Sequence, residues 1–232
     1  MIVTIDGPAG SGKSSTARAV ADRLGFRHLD SGAFYRAITW ALIDAGIPAS
    51  EWGDLTANQL DALQVRGEPD ERGYRLLAGD RDITREIRSA LVNAHVSPVS
   101  ALPVVRAWLL GRLRAAARGV DLVTDGRDMG TVVFPGAELK FFLVADPTVR
   151  ARRRLLERGE DPAAPEAVEA ETARIQARDR ADSTRALAPL QRPAEAIDLD
   201  TTSLSFEEQV SRIVDRVRAY RSRPLIAEPR SY

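Results

Sequence analysis

The sequence predicts an α/β domain built on a parallel sheet, and three observations carry that reading. The β-branched run Ile2–Asp6 leads straight into a glycine-rich turn and then a helical repeat, the strand–turn–helix opening of a parallel sheet. Short apolar runs return at 122–125, 139–144 and 196–199, each of strand length and too short for a helix. Between about 50 and 100 the alternation breaks, and two strand-like runs joined by a polar segment mark a small antiparallel insertion.

In chain order, Ile2–Asp6 reads as a buried strand. From Lys13 to Leu24 the apolar positions Ala17, Val20, Ala21 and Leu24 recur at helical spacing, and Gly25 supplies the stop. Phe26–Leu29 reads as a second strand, followed by a helix from about Gly32 to Ala45 that Gly46 closes. Within the insertion, Leu63–Arg66 and Tyr74–Leu77 flank the turn Gly67–Gly73, which contains Pro69. Thr84 is expected to cap a helix through about Val96. Pro103 suits the first turn of another, with Val105, Leu109 and Leu113 on one face. Leu122–Asp125 and Leu139–Val144 are strands, the second near-continuously apolar, as a strand covered on both faces must be. Residues 150–185 are charge-rich; they can be helical but are expected to supply no core. Ala196–Leu199 is the last strand and Phe206–Tyr220 an amphipathic final helix, and the tail from Arg221 contains two prolines and is expected to be loose.

Composition closes several doors. The 232 residues suffice for one domain with a full core. With 33 basic and 33 acidic side chains the net charge is zero, which argues against coating nucleic acid or an anionic membrane. The absence of cysteine excludes disulfides, thiolate–metal sites and cysteine nucleophiles. No apolar run approaches the ~20 residues of a membrane span, and residues 1–6 lack the features of a signal peptide, so a cytoplasmic protein is expected. Only two basic residues, Lys13 and Lys140, are lysine. The arginine excess alone carries no functional meaning, but it makes the position of Lys13 informative.

Gly7, Pro8, Ala9, Gly10, Ser11, Gly12, Lys13 and Ser14, followed by Ser15, match the phosphate-loop pattern G-x-x-x-x-G-K-[ST] at every fixed position. Glycines let successive backbone N–H groups turn inward at the start of a helix whose dipole favours anions. Lys13 then reaches the β- and γ-phosphates of a nucleoside triphosphate, and the Ser14 hydroxyl ligates Mg²⁺. Asp125 ends a strand in the manner of a Walker-B aspartate and would hold a magnesium-bound water beside Ser14. A shuffled sequence matches the pattern on the order of once in a thousand, and here it also sits between a strand and a helix.

The class of phosphate-loop protein stays open at this point. A GTPase would need an N-K-x-D motif, which the chain lacks. A small-molecule kinase, or a nucleotide-dependent switch without a small acceptor, both fit. A hydroxyl acceptor usually requires a carboxylate base, whereas a phosphate acceptor is already anionic near neutral pH and requires positive charge instead. Arginines fall where strand ends would place them at the loop: Arg36 after the second strand, Arg127 after Asp125, and Arg153, Arg154, Arg178 and Arg185 around the polar segment. His28 and His95 stand alone and read as core or surface filler.

The strings 5–15, 29–37, 125–135, 178–190 and 198–210 together resemble bacterial cytidylate kinase over nearly the whole chain. That resemblance implies the phosphate-loop nucleoside monophosphate kinase fold: a five-stranded parallel sheet flanked by helices, an antiparallel monophosphate-binding insertion and an arginine-bearing lid. The single domain spans 1–220, with core segments 1–50, 101–149 and 186–220, the insertion at about 51–100, the lid at about 150–185, and a flexible tail at 221–232. It implies a monomer that transfers a phosphoryl group from ATP, with Mg²⁺, to CMP or dCMP, and no nucleic-acid or membrane partner; UMP, AMP or a hydroxylated metabolite is the alternative acceptor. By resemblance, Ser31, Tyr35 and Arg36 line the monophosphate site, and Arg36 and Arg127 face phosphates. Arg106 and Asp128 lie near the cytosine, and Ser97, Arg178, Asp182 and Arg185 surround sugar and phosphates. Arg153 and Arg154 are lid arginines that meet the transferring group. The chain departs from the family at Gly136 and Glu195, both often Asp there.

Overall fold

The computed structural model describes residues 1–71 and 73–222. In chain order it contains β1 (Ile2–Asp6), α1 (Lys13–Leu24), β2 (Arg27–Asp30), α2 (Ser31–Asp44), a 3₁₀ turn at Ala49–Asp54, α3 (Ala57–Ala62), β3 (Val65–Pro69), β4 (Tyr74–Ala78) and β5 (Arg81–Asp82). A second 3₁₀ turn, Glu86–Arg88, precedes α4 (Ala90–Ala101), α5 (Pro103–Ala116) and β6 (Leu122–Gly126). A π-turn at Met129–Val133 then leads to β7 (Leu139–Val144), α6 (Pro147–Glu157), α7 (Pro165–Thr184), β8 (Ile197–Asp200) and α8 (Phe206–Arg221).

Five strands form one parallel sheet in the order β2–β6–β1–β7–β8. A separate antiparallel sheet, β3–β4–β5, makes up the expected insertion. Val3, Ile5, Leu122 and Val123 are wholly buried because helices cover both faces of the main sheet. On one face α1 and α8 meet the strands through Val20, Ala21, Ile213 and Val217. On the other, Leu29 and Leu122 join Ile38, Leu42, Leu76 and Leu109, so the insertion shares the main core. Each such side chain contributes about 1.5–3 kcal/mol by leaving water. Gly67 of β3 lies so near the Phe34 ring that an added Cβ would stand 2.5 Å from it, which is why a glycine occupies that edge.

Strand β3 lies at Val65–Pro69, two to three residues beyond the expected Leu63–Arg66, and β5 was not expected. The structure departs from expectation in four further places. Thr84 caps no helix; its hydroxyl accepts from the Leu76 N–H at 3.0 Å and continues the β4–β5 pairing beyond β5, while Ser89 caps α4. Helix α3 was not anticipated, although Thr56 and Gln59 form a capping box legible in the sequence. Helix α8 runs through Arg221, the first residue of the expected tail; residues 223–232 lie outside the described residues. The charged stretch does supply a small core: Ala151 and Leu155 of α6 pack on Val168 and Ile175 of α7. One apolar residue per turn suffices when two helices face each other and arginine stems cover the remainder. Glu171 is buried in that interface, with Arg154 Nε and Arg158 Nη2 each at 3.1 Å and Arg174 Nη1 at 3.4 Å.

Candidate active site

The sheet order sets β1 beside β6, and β6 beside β2, so three strand ends open onto one crevice. Gly7 leaves β1 with φ 150°, and a Cβ there would meet the Leu143 carbonyl oxygen at 2.1 Å, so only glycine can begin the loop. Gly12 caps α1 in the left-handed conformation, φ 85°. Lys13 is 5% exposed, and its Nζ donates to the Pro8 carbonyl at 2.6 Å and to Ser11 Oγ at 3.3 Å. Burial drives the Lys13 pKa well below the usual lysine value; Arg127 adds to the depression and Asp125 opposes it.

At the end of β6, Asp125 accepts from Ser14 Oγ at 2.5 Å through one carboxylate oxygen and faces His28 Nε2 at 2.8 Å through the other. Burial pushes its carboxyl up, but the hydrogen bond and charge of His28, then Ser14 and Lys13, outweigh it and hold the pKa below the ordinary carboxylate value. His28 is therefore a buried partner of Asp125 rather than filler; it sits on β2 beside β6, a pairing that sequence distance conceals. Hard oxygen donors at the helix start fit Mg²⁺, which takes one or two protein oxygens together with phosphates and waters.

The crevice encloses about 630 Å³. Ala9, Gly10, Gly12, Lys13, Ser14 and Ser15 line its donor side, while Gly7, Pro8 and Ser11 form the back of the loop. Opposite stand Ser31, Tyr35 and Arg36 of α2, with Arg127 and Asp128 beyond β6. Arg178, Asp182 and Arg185 approach from α7 and its C-terminal cap. Burial, then repulsion from Arg127 and Arg36, pushes the Arg178 guanidinium down to about 9. Burial lowers Arg36 likewise, with Arg88, Arg127 and Arg154 contributing. Arg178 Nε is buried without a hydrogen-bond partner. Such crowding of guanidinium charge is relieved by an anion, and each fork matches a phosphate.

Deeper in the crevice, Asp128 is 2% exposed, hydrogen-bonded by Arg106 and 3.5 Å from Arg185 Nη2. Burial raises its pKa although both guanidiniums oppose. Arg106 also donates to the Ser100 carbonyl at 3.0 Å and lies 5.6 Å over the Tyr35 ring. Tyr35 is pushed up to about 12 by burial, so its hydroxyl stays a neutral donor.

The turn carrying Asp128 is held by Asp6, whose carboxylate accepts from the Met129 and Gly130 N–H groups at 2.9 and 2.7 Å. Burial raises its pKa from 3.8 to about 6. An acid raised on folding adds stability that is fully present below the unfolded value and lost as pH rises through the folded one. The free-energy difference between wild type and Asp6→Asn, from urea denaturation, is therefore expected to move by up to ~3 kcal/mol in favour of wild type as pH falls from 7 to 4. A flat difference would remove Asp6 as the titrating group.

Besides Gly7, Pro8 and Ser11 of the loop, three expected site residues lie outside the lining. Ser97 is half-buried behind it; Ser100, one turn on, lines the crevice and donates to the Ser97 carbonyl at 2.8 Å. Arg106 braces Asp128 from behind. Arg153, expected beside the transferring group, is instead tied to the end of β8, donating to Thr201 Oγ1 at 3.0 Å and to its carbonyl at 2.5 Å. Neighbouring helical positions differ by about 100°, so Arg153 and Arg154 cannot share a face. Arg154 lines the crevice and lies against the loop, where a Cβ at Gly10 would meet its Cδ at 3.3 Å. Arg158 and Asn93 also line it and were not anticipated; Arg158 follows Arg154 by four, a spacing that repeats one helix face.

A phosphate loop with a buried lysine, sharing one crevice with converging guanidinium groups, defines a phosphate-loop kinase. The family model for cytidylate kinase matches residues 3–219, and the chain belongs to that family. A cytidylate kinase of Salinibacter ruber is 46% identical over 227 residues, covering 94% of this chain and 97% of the relative. One of Stutzerimonas stutzeri is 44% identical over 221 residues, covering 93% and 94%. A bifunctional pantoate ligase/cytidylate kinase of a Synechococcus strain is 43% identical over 224 residues, which is 94% of this chain and 44% of that longer protein.

Proposed function

We propose that the chain transfers the γ-phosphoryl group of ATP to CMP or dCMP, giving CDP or dCDP and ADP. The observation that carries this is the guanidinium cluster: Arg36, Arg127 and Arg178 line the same crevice as Lys13, and Arg178 keeps a buried Nε–H without a partner. A nucleophile that is already a phosphate needs charge neutralisation and no base. The buried carboxylates of the crevice are engaged as acceptors: Asp125 by Ser14 and His28, Asp128 by Arg106, and Asp182 by Arg127 Nε at 2.8 Å. Asp128, held in place by Arg106 behind it, supplies an acceptor for the edge of a pyrimidine.

In this reading the loop amides and Lys13 hold the donor phosphates, and Ser14, with Asp125 through a water, would hold Mg²⁺. When bound, that ion neutralises charge on the β- and γ-oxygens. The insertion at about 51–100 cradles the monophosphate, and the lid at about 150–185 brings Arg154 onto the transferring group and excludes water. The protein acts as a cytoplasmic monomer. Among the described residues no helix is long and apolar enough to cross a membrane.

A coupled ADP-release assay with CMP, dCMP, UMP, AMP and shikimate tests the reading. Turnover with the cytidine nucleotides at least ~10²-fold above AMP and shikimate in kcat/KM is expected, since a mismatched base leaves buried polar groups unpaired. Failure with both cytidine nucleotides would overturn it. Arg154→Ala is expected to lower kcat by ~10² with little change in the KM for CMP, as loss of a group acting in the transition state does. Arg153→Ala should leave kcat within about threefold, because its guanidinium is engaged at Thr201. Initial rates at saturating nucleotide distinguish the two, and equal defects would return Arg153 to the transferring group.

A further inference from the structure

Two residues given no role above, Arg150 and Asp179, hold the backbone of the phosphate loop. Asp179 Oδ1 accepts from the Ala9 N–H at 2.9 Å, and Arg150 Nη1 donates to the Ala9 carbonyl at 2.9 Å. The two side chains pair with each other, Nη1 to Oδ2 at 2.5 Å, and Arg150 Nε donates to the Ala145 carbonyl at 3.0 Å. Both polar groups of one loop residue thus end on the lid helices, Arg150 on α6 and Asp179 on α7. Arg150 is only 5% exposed, a cost in desolvation that a surface tie would not require.

The same helix serves the acceptor side. Arg178 and Asp182 lie one turn apart on α7 and line the crevice, and Arg185 follows at its C-terminal cap. Asp179 is turned by about 100° from Arg178 and meets the loop instead. One rigid element therefore touches the donor loop with one face and the acceptor pocket with the next.

We propose that the Asp179–Arg150 pair is the positioning element that couples donor binding at the phosphate loop to acceptor binding on α7. A triphosphate on the loop amides fixes the Ala9 peptide. The tether passes that constraint to α7 and sets Arg178, Asp182 and Arg185 before the monophosphate arrives. Coupling of this kind is reciprocal, so each nucleotide tightens the other by one factor. The inference rests on the kinase reading above.

Calorimetric titration of CMP into the full chain, with and without Mg²⁺ and a non-hydrolysable ATP analogue, measures that factor. For wild type the analogue is expected to lower the CMP Kd by about 5–20-fold, with the same factor when the order of addition is reversed. In Asp179→Ala the factor should fall below about twofold, while the Kd for CMP alone stays within about threefold of wild type. Asp179→Asn keeps an acceptor for the Ala9 N–H and should restore part of the factor, which a general loss of stability would not do. Should Asp179→Ala fail to fold, Arg150→Lys gives the same reading, because lysine cannot bridge Ala9 and Ala145 together. An unchanged factor in these variants, or a factor of one in wild type, overturns the coupling role while leaving the kinase reading intact. Absence of CMP binding to wild type would overturn both.

Discussion

Lys13→Ala is expected to lower kcat by ~10³ or more while the chain keeps its fold. The side chain is one of only two lysines in the protein and is buried at the mouth of the loop, its Nζ bonded to Pro8 and Ser11 of the same loop. Its removal therefore disturbs no distant element. The remaining loop amides are fixed dipoles, and they cannot follow charge as it moves from the γ-phosphoryl group onto the leaving β-oxygen. Arginine is no substitute, since its planar fork does not fit a position enclosed by the loop. The measurement is kcat under saturating ATP and CMP, with the Kd for ATP determined separately. A near-normal kcat would refute the assignment of Lys13 to the transferring group.

Asp128→Ala is expected to reduce kcat/KM for CMP by ~10² or more and to leave the KM for ATP within about threefold. The carboxylate is buried between Arg106 and Arg185, so its loss strips the acceptor for the base and leaves two guanidiniums without their counter-charge. Breaking a buried pair costs on the order of 3–5 kcal/mol of stability, so the alanine variant is to be compared with Asp128→Asn, which keeps the shape. The asparagine variant should fold and still discriminate poorly between CMP and UMP, because an amide offers both a donor and an acceptor where the carboxylate offers acceptors alone. Steady-state kinetics with each nucleotide varied in turn decide the matter. Equal losses for ATP and CMP would remove Asp128 from base recognition.

Most of the scaffold was legible because its signals are local. The glycine loop lies between a β-branched run and a helical repeat, and Gly25 and Pro103 mark helix ends through their own backbone requirements. The parallel sheet followed from that rhythm, and the strands at 122–126 and 139–144 were readable as short apolar runs bounded by turns. The two-residue strand β5 and the pairing at Thr84 were not, since neither has a pattern of its own. They form only where β4 offers free backbone groups.

Local sequence decides where a phosphate is gripped and that arginines gather at the strand ends, because a loop of seven residues from Gly7 to Lys13 builds its own anion nest. Which side chains face the crevice depends instead on the assembled fold. Arg154 meets the phosphate loop and Arg153 a distant threonine; Ser100 lines the crevice and Ser97 lies behind; His28 joins Asp125, and Asp179 joins Ala9 across 170 positions. The rotational phase of a helix and the register of neighbouring strands are fixed by packing against the rest of the molecule, and packing is a property that adjacent residues do not encode.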